Sequence, residues 1–267
     1  MNCCVVVPVY RELHEPLEIV SFLRLRQFIS NDVFIVAPDG LSLESYRSLW
    51  PSIQDVRFPS CFFESIQGYN SLMLSSLFYE KFARDFEWML IHQLDAFLFN
   101  SNLQDFCSMP YDYYGAPWIP AQFIHPHFTS PLLLKLFGRR VAVGNGGLSL
   151  RKIVSTLSLL ENKSQERVFW KTNEDGFFSY WGTCSPDFFS CPLDVASRFS
   201  FEAEPQLLLS RNEGKLPFGC HAFNKVSQQF YSEIINPLLP EIYGLEAALG
   251  GRKLPEPYKY EDSSNVS

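Results

Sequence analysis

The sequence predicts an α/β fold, a Rossmann-like α/β/α sandwich whose central mixed sheet is mainly parallel. Two short runs, Cys3-Cys-Val-Val-Val-Pro-Val9 and Val33-Phe-Ile-Val-Ala37, are apolar without polar alternation, as strands buried on both faces require. Between them Ile19, Phe22, Leu23, Leu25, Phe28 and Ile29 recur at helical spacing, with Pro16 placed for a first turn, so the chain opens as a βαβ unit. A third apolar run, Trp88 to Phe99, reads as one strand interrupted by His92-Gln93 and by the carboxylate of Asp95. Burying an unpaired carboxylate is costly, so Asp95 requires a metal, a base or a buried donor, and it reads as the floor of an active site. Its alternative is an aspartate that ends a strand and shapes the next turn.

The 267 residues, 46% hydrophobic and 16% aromatic, suffice for a substantial core in one or two domains. A net charge of −7 excludes a broad electrostatic footprint for nucleic acid. No basic leader precedes the first strand and no apolar stretch is long enough to span a bilayer, so a cytoplasmic protein is expected. Seven scattered cysteines without a CxxC pair argue against a disulfide framework or structural zinc.

Along the chain, Pro8, Tyr10 and Arg11 fall at the C-terminal end of the first strand, where α/β sheets place ligands. Tyr10 either stacks on a nucleobase or packs. Asp39, in Pro38-Asp-Gly40, either holds a ribose or base edge or forms the turn. Gly68-Tyr-Asn70 lies near a helix start, where free N–H groups meet phosphates, and Asn70 serves equally as a cap. Tyr111-Asp-Tyr-Tyr-Gly-Ala-Pro-Trp118 reads as an aromatic, turn-forming segment suited to sugar recognition through Asp112 and Trp118, or as an aromatic minicore. Residues 119–140, with Pro120, Pro126 and Pro131, read as a long loop able to act as a lid. Asn145, Gly146 and Gly147 imply close backbone approach, either to a ligand or in a sharp turn. Thr172 and Asp175 have the spacing of a capping box, yet Glu174 and Asp175 together exceed what a cap needs, and either can take a proton from a hydroxyl. His221 and Lys225 are candidates for a pyrophosphate or a metal, His221 alternatively being a core histidine.

Taken together, Val5-Val-Val-Pro-Val-Tyr10, Gly68-Tyr-Asn70, His92-Gln-Leu-Asp95, Tyr111 to Trp118, Val143-Gly-Asn-Gly-Gly-Leu-Ser-Leu-Arg151, Asn173-Glu-Asp175 and Phe218-Gly-Cys-His-Ala-Phe223 resemble, in order and spacing, the GT-A class of nucleotide-sugar glycosyltransferases. Within it they are most similar to a bacterial subfamily found with cell-surface polysaccharide genes. The resemblance covers about residues 3–230 and implies one GT-A-like domain over 1–249, its nucleotide-binding half about 1–100 and its acceptor half about 101–249, before a polar tail over 250–267.

The same resemblance implies a donor, a UDP-sugar by preference, held by Pro8, Tyr10, Arg11, Asp39, Gly68, Asn70, Gln93, Asp95 and Lys225. It implies sugar contacts from Asp112, Trp118, Asn145, Gly146 and Gly147, and Mn²⁺ or Mg²⁺ on Asp95 and His221. The class carries a D-x-D where this chain has Gln93-Leu-Asp95, which weakens the expected metal site. Asp175, with Glu174 beside it, becomes the catalytic base of an inverting single displacement onto a saccharide or glycolipid acceptor, through which the protein would meet a membrane peripherally. The alternative function is a sugar or nucleotide-sugar binding subunit without catalysis.

Overall fold

The computed structural model describes residues 2–125, 132, 136–170, 172–225 and 227–248. The main sheet has six strands: β1 (Cys3–Pro8), β2 (Val33–Pro38), β3 (Gln54–Phe58), β4 (Trp88–His92), β6 (Tyr113–Tyr114) and β9 (Leu148–Lys152), in the order β3-β2-β1-β4-β9-β6. The first four neighbours are parallel, and β9 runs antiparallel to both β4 and β6. Alternate residues of one strand feed opposite cores: Val5, Val7 and Leu90 pack with Phe22 and Ile35, while Val6, Met89 and Ile91 pack with Phe78 and Phe177. Both faces being covered explains the unbroken apolar runs.

The helix Pro16–Phe28 lies where its period placed it. From it Ser21 Oγ donates to Ala96 O at 2.6 Å and Arg24 Nε to Leu98 O at 2.9 Å, tying it to the chain just beyond Asp95. The run Trp88 to Phe99 is two strands rather than one. β4 stops at His92, Gln93-Leu94-Asp95 turns, with Ala96 N donating to Gln93 O at 2.9 Å, and β5 (Phe97–Leu98) enters a second sheet with β10 (Ser200–Phe201) and β11 (Gly219–Cys220) in the order β10-β11-β5. Of the polar residues that interrupt the apolar run, His92 ends β4 and Gln93 and Asp95 belong to the turn.

Tyr111 to Trp118 is not a turn segment. Tyr113 and Tyr114 form β6 and are fully buried, and β7 (Ala116–Ile124) pairs antiparallel with β8 (Arg139–Gly144). The hydroxyls of Tyr113 and Tyr114 reach Asn145 O and Phe106 O, so these aromatics are core with satisfied polar tips. Part of the expected loop 119–140 is thus strand, and a lid over 126–131 and 133–135 lies outside the described residues, as does the tail from residue 249. The helix Ile66–Met73 is capped by Ser65, whose Oγ accepts from Gly68 N at 3.0 Å, and Asn70 instead bonds to the start of another helix, accepting from Glu174 N at 3.4 Å and donating to Asn173 Oδ1 at 3.3 Å. All seven cysteines are free thiols, and among the described residues no helix is long and apolar enough to cross a membrane.

Gly115 joins β6 to β7 where a Cβ would lie 1.8 Å from Gly144 O, backbone that cannot yield cheaply. Gly115→Ala is expected to lower stability by about 3 kcal/mol, measured by urea denaturation.

Candidate functional site

The C-terminal ends of β1 and β4 and the N-terminal end of β9 open onto one cleft of about 870 Å³. The turn after β4 supplies Gln93 and Asp95. Glu202 leaves the end of β10 and His221 the end of β11, with Lys225 four residues on. Asp95 Oδ1 lies 3.0 Å from His221 Nε2, and Asp95 Oδ2 accepts from Lys225 Nζ at 3.0 Å. On its other side His221 Nδ1 is 3.0 Å from Glu202 Oε1, while Gln93 Oε1 is 3.2 Å from Nε2. Burial opposes both charges, yet the His221 and Lys225 cations hold the Asp95 carboxyl well below the usual carboxylate range. Likewise, burial lowers the His221 pKa, but the hydrogen bonds to Asp95 and Glu202 overcome it and raise the imidazole to about 9.

The opposite wall is the turn from β8 to β9. Asn145 takes φ +83°, a left-handed conformation that asparagine tolerates, and its Oδ1 accepts from Gly147 N at 2.9 Å. Gly146 and Gly147 provide room for side chains: a Cβ on Gly146 would sit 2.0 Å from Glu174 Oε1, and one on Gly147 2.0 Å from His221 Nε2. Glu174 and Asp175 begin the helix Glu174–Cys184 after Asn173, which makes no side-chain cap, so the Thr172–Asp175 capping box does not form, and Glu174 N donates instead to Asn70 Oδ1 at 3.4 Å. Glu174 is buried and accepts from Arg151 Nη2 at 2.8 Å, while Arg151, with no exposed side chain, also donates to Tyr79 OH at 2.7 Å and Ser149 Oγ at 3.2 Å. Asp175 accepts from Gly176 N at 2.7 Å and Asn145 N at 3.2 Å. Burial and then the Glu174 charge push its carboxyl up to about 7, against those two N–H groups.

The predicted residues Pro8, Tyr10, Arg11, Asn70, Gln93 and Asp95 line this cleft, as do Asn145, Gly146, Gly147, Glu174, Asp175, His221 and Lys225. Four others do not. Asp39 stays in the turn after β2, where its N–H donates to Phe58 O at 3.0 Å. Gly68 is inside its helix, packed so that a Cβ would be 2.5 Å from Cys61 O. Asp112 accepts from Ser155 Oγ at 2.7 Å and Phe189 N at 2.9 Å, and Trp118 covers Gly144 with its indole. The cleft adds Glu202, which no motif marked, and Glu15, Glu18 and Tyr46 beside Arg11. Arg11 donates to Glu18 Oε1 at 2.8 Å, and Tyr46 OH donates to Arg11 O at 2.8 Å.

The sequence resemblance implies a divalent ion on Asp95 and His221. Among the described residues no three His, Cys, Asp or Glu side chains are grouped to hold one. The third donor here is an amide: Asp95 Oδ1 and Gln93 Oε1 lie 3.0 and 3.2 Å from His221 Nε2. Neighbouring ligands of a six-coordinate ion at about 2.1–2.2 Å stand about 3 Å apart, and a carboxylate on the far nitrogen, as Glu202 is here, is the usual support for a ligating histidine. The donor set fits.

A family model described as "Protein of unknown function (DUF5672)" matches residues 52–221. Comparison with curated proteins gives no match. Among solved structures, an active-site mutant of LgtC is similar over 95% of this chain and 98% of its own, at 12% identity and a TM-score of 0.55. The galactosyltransferase LgtC in complex with donor and acceptor sugar analogs is similar over 82% of this chain and 86% of its own, at 12% identity and a TM-score of 0.50. The fold is that of the GT-A glycosyltransferases.

The Arg151–Glu174 pair is fully buried, so Arg151→Met, which strands the carboxylate, is expected to cost about 3–5 kcal/mol in urea denaturation, and adding Glu174→Met to recover part of that loss.

Proposed function

The chain belongs to the DUF5672 family, and we propose that it transfers a sugar from a nucleotide-sugar donor to a hydroxyl of a saccharide acceptor. One observation carries this reading: a single cleft sets a carboxylate poised near neutrality, Asp175, opposite a cation-bound carboxylate, Asp95. The first suits a general base, and the second, with His221 and Lys225, suits a diphosphate. The GT-A fold is one on which glycosyl transfer is carried out, and the cleft volume of about 870 Å³ suits two substrates.

In the reaction proposed, Asp175 takes the proton of the acceptor hydroxyl, whose oxygen attacks the anomeric carbon as the bond from that carbon to the diphosphate oxygen breaks. A single displacement of this kind inverts the anomeric centre. Asn145, through its backbone N–H, holds Asp175 toward the cleft, and Glu174, taken by Arg151, acts through its charge rather than as a base. Lys225 receives the charge that develops on the leaving diphosphate. A divalent ion held by Asp95, Gln93 and His221 would supply further charge neutralisation there. Tyr10, Arg11 and Asn70, which line the cleft, would hold the nucleotide, and Asn145 to Gly147 the sugars.

Thermal-shift measurements with a panel of nucleotide sugars headed by UDP-sugars, with and without Mn²⁺, test the reading. Stabilisation by one donor, followed by release of free nucleotide when a saccharide acceptor is added, is the expected result. Stabilisation without release in any acceptor identifies a binding subunit instead, and no stabilisation by any donor rejects both.

Because the base must be ionised to act, kcat/KM is expected to rise with pH through an apparent pKa of about 7 and level off above it. Asp175→Asn is expected to remove that limb and lower kcat by about 10²-fold or more while leaving donor binding near normal. Steady-state kinetics across pH check both, and full activity in the variant overturns the role.

A further inference from the structure

We propose that Glu202 is a positioning residue: its carboxylate accepts the Nδ1–H of His221 and thereby keeps Nε2 directed at Asp95 and Gln93. The inference rests on the transfer reading for what Nε2 serves, but the contact itself follows from strand register. β10 and β11 are parallel, with Ser200 opposite Gly219 and Phe201 opposite Cys220, so Glu202 and His221 leave adjacent strands side by side. His221 N continues the ladder by donating to Phe201 O at 2.9 Å. The two side chains then meet at 3.0 Å, Glu202 Oε1 to His221 Nδ1.

The imidazole has little freedom to do otherwise. Gly147 lies against its other edge so closely that a Cβ there would be 2.0 Å from Nε2. A neutral imidazole places its one proton on either nitrogen, and a carboxylate at Nδ1 draws it there, leaving the Nε2 lone pair for an ion or, with a second proton, making Nε2 a donor to Asp95. Without an acceptor at Nδ1 the tautomer is free to invert, and an Nε2–H cannot ligate. Glu202 also acts on the other wall: its charge is among those raising the Asp175 carboxyl, so one residue bears on both ends of the cleft.

The test uses the full chain with ¹⁵N-labelled histidine. The His221 signal is identified by its loss in His221→Gln, and Glu202→Gln and Glu202→Leu are compared with wild type in two readouts. In ¹H–¹⁵N spectra the His221 Nδ1–H is expected to be shifted downfield and protected from exchange by its bond to a carboxylate in wild type, to keep that protection in Glu202→Gln, whose amide oxygen still accepts, and to lose it in Glu202→Leu. Electron paramagnetic resonance of Mn²⁺ in the presence of UDP is expected to show affinity about 10–100-fold weaker in Glu202→Leu and largely restored in Glu202→Gln. A wild-type His221 spectrum in Glu202→Leu overturns the proposal, as does an equal loss of Mn²⁺ affinity in both variants accompanied by an equal fall in melting temperature. If wild type with UDP binds no Mn²⁺, the ion part of the transfer reading fails, while the Nδ1 signal still decides for or against the positioning role.

Discussion

Arg151 carries a permanent charge on a side chain with no exposed surface, and much of the site's arrangement follows from answering that charge. A guanidinium has five donors and no acceptor, so burial demands a carboxylate and further oxygens around it. Glu174, Tyr79 and Ser149 meet that demand. Once Glu174 is committed, the helix that begins with it is anchored to β9, and the next residue, Asp175, is left beside a fixed negative charge in a partly buried position. Its pKa is raised by burial and then by the Glu174 charge held beside it. Two adjacent carboxylates, chemically alike, are divided into a structural member and a titrating one by which of them reaches the arginine.

The second constraint is space. Glu174 and His221 approach the turn between β8 and β9 from different elements, and each occupies the volume that a Cβ on Gly146 or Gly147 would need. The glycines thus act through packing, admitting a carboxylate on one side and an imidazole on the other. Asn145, ahead of them in a left-handed conformation, engages Gly147 N through its Oδ1 and Asp175 through its N–H, so this turn also joins the ion-pair wall to Asp175.

The parallel core of the sheet was legible because both of its faces are covered, which removes polar residues from β1 and β2 and leaves an unambiguous apolar signal. Asp95 stood out as a carboxylate that an apolar run makes expensive, whereas Asp175, His221 and Lys225 were marked by residue type and by the order of the motifs. What was not legible depends on long-range pairing. Glu202 follows a two-residue strand whose existence rests on β11, 19 residues later, and nothing local distinguishes it from the exposed Glu204 nearby. Tyr113 and Tyr114 looked like a ligand surface because aromatic residues with turn formers suit sugars as well as cores, and only pairing with Leu150 and Arg151 decides for the core. Asp112 likewise finds Ser155 and Phe189 N, partners that no spacing rule announces.

The convergence of these groups is a property of mixed topology. In a purely parallel sheet only C-terminal strand ends reach the ligand edge. Here β9 runs against β4, with His92 opposite Leu148 and Gln93 N donating to Gly147 O at 2.8 Å, so the N-terminal end of β9 arrives at the same edge as the C-terminal end of β4. β11 runs against β5, which places His221 back over the turn that β4 and β5 share. Two antiparallel pairings therefore bring Asn145 to Gly147 and His221 to an edge that the parallel strands alone would furnish with Arg11 and Asp95. The Asp175 wall and the Asp95–Lys225 wall face each other across that edge because strand direction, set by pairing and burial, leaves their loops nowhere else to meet.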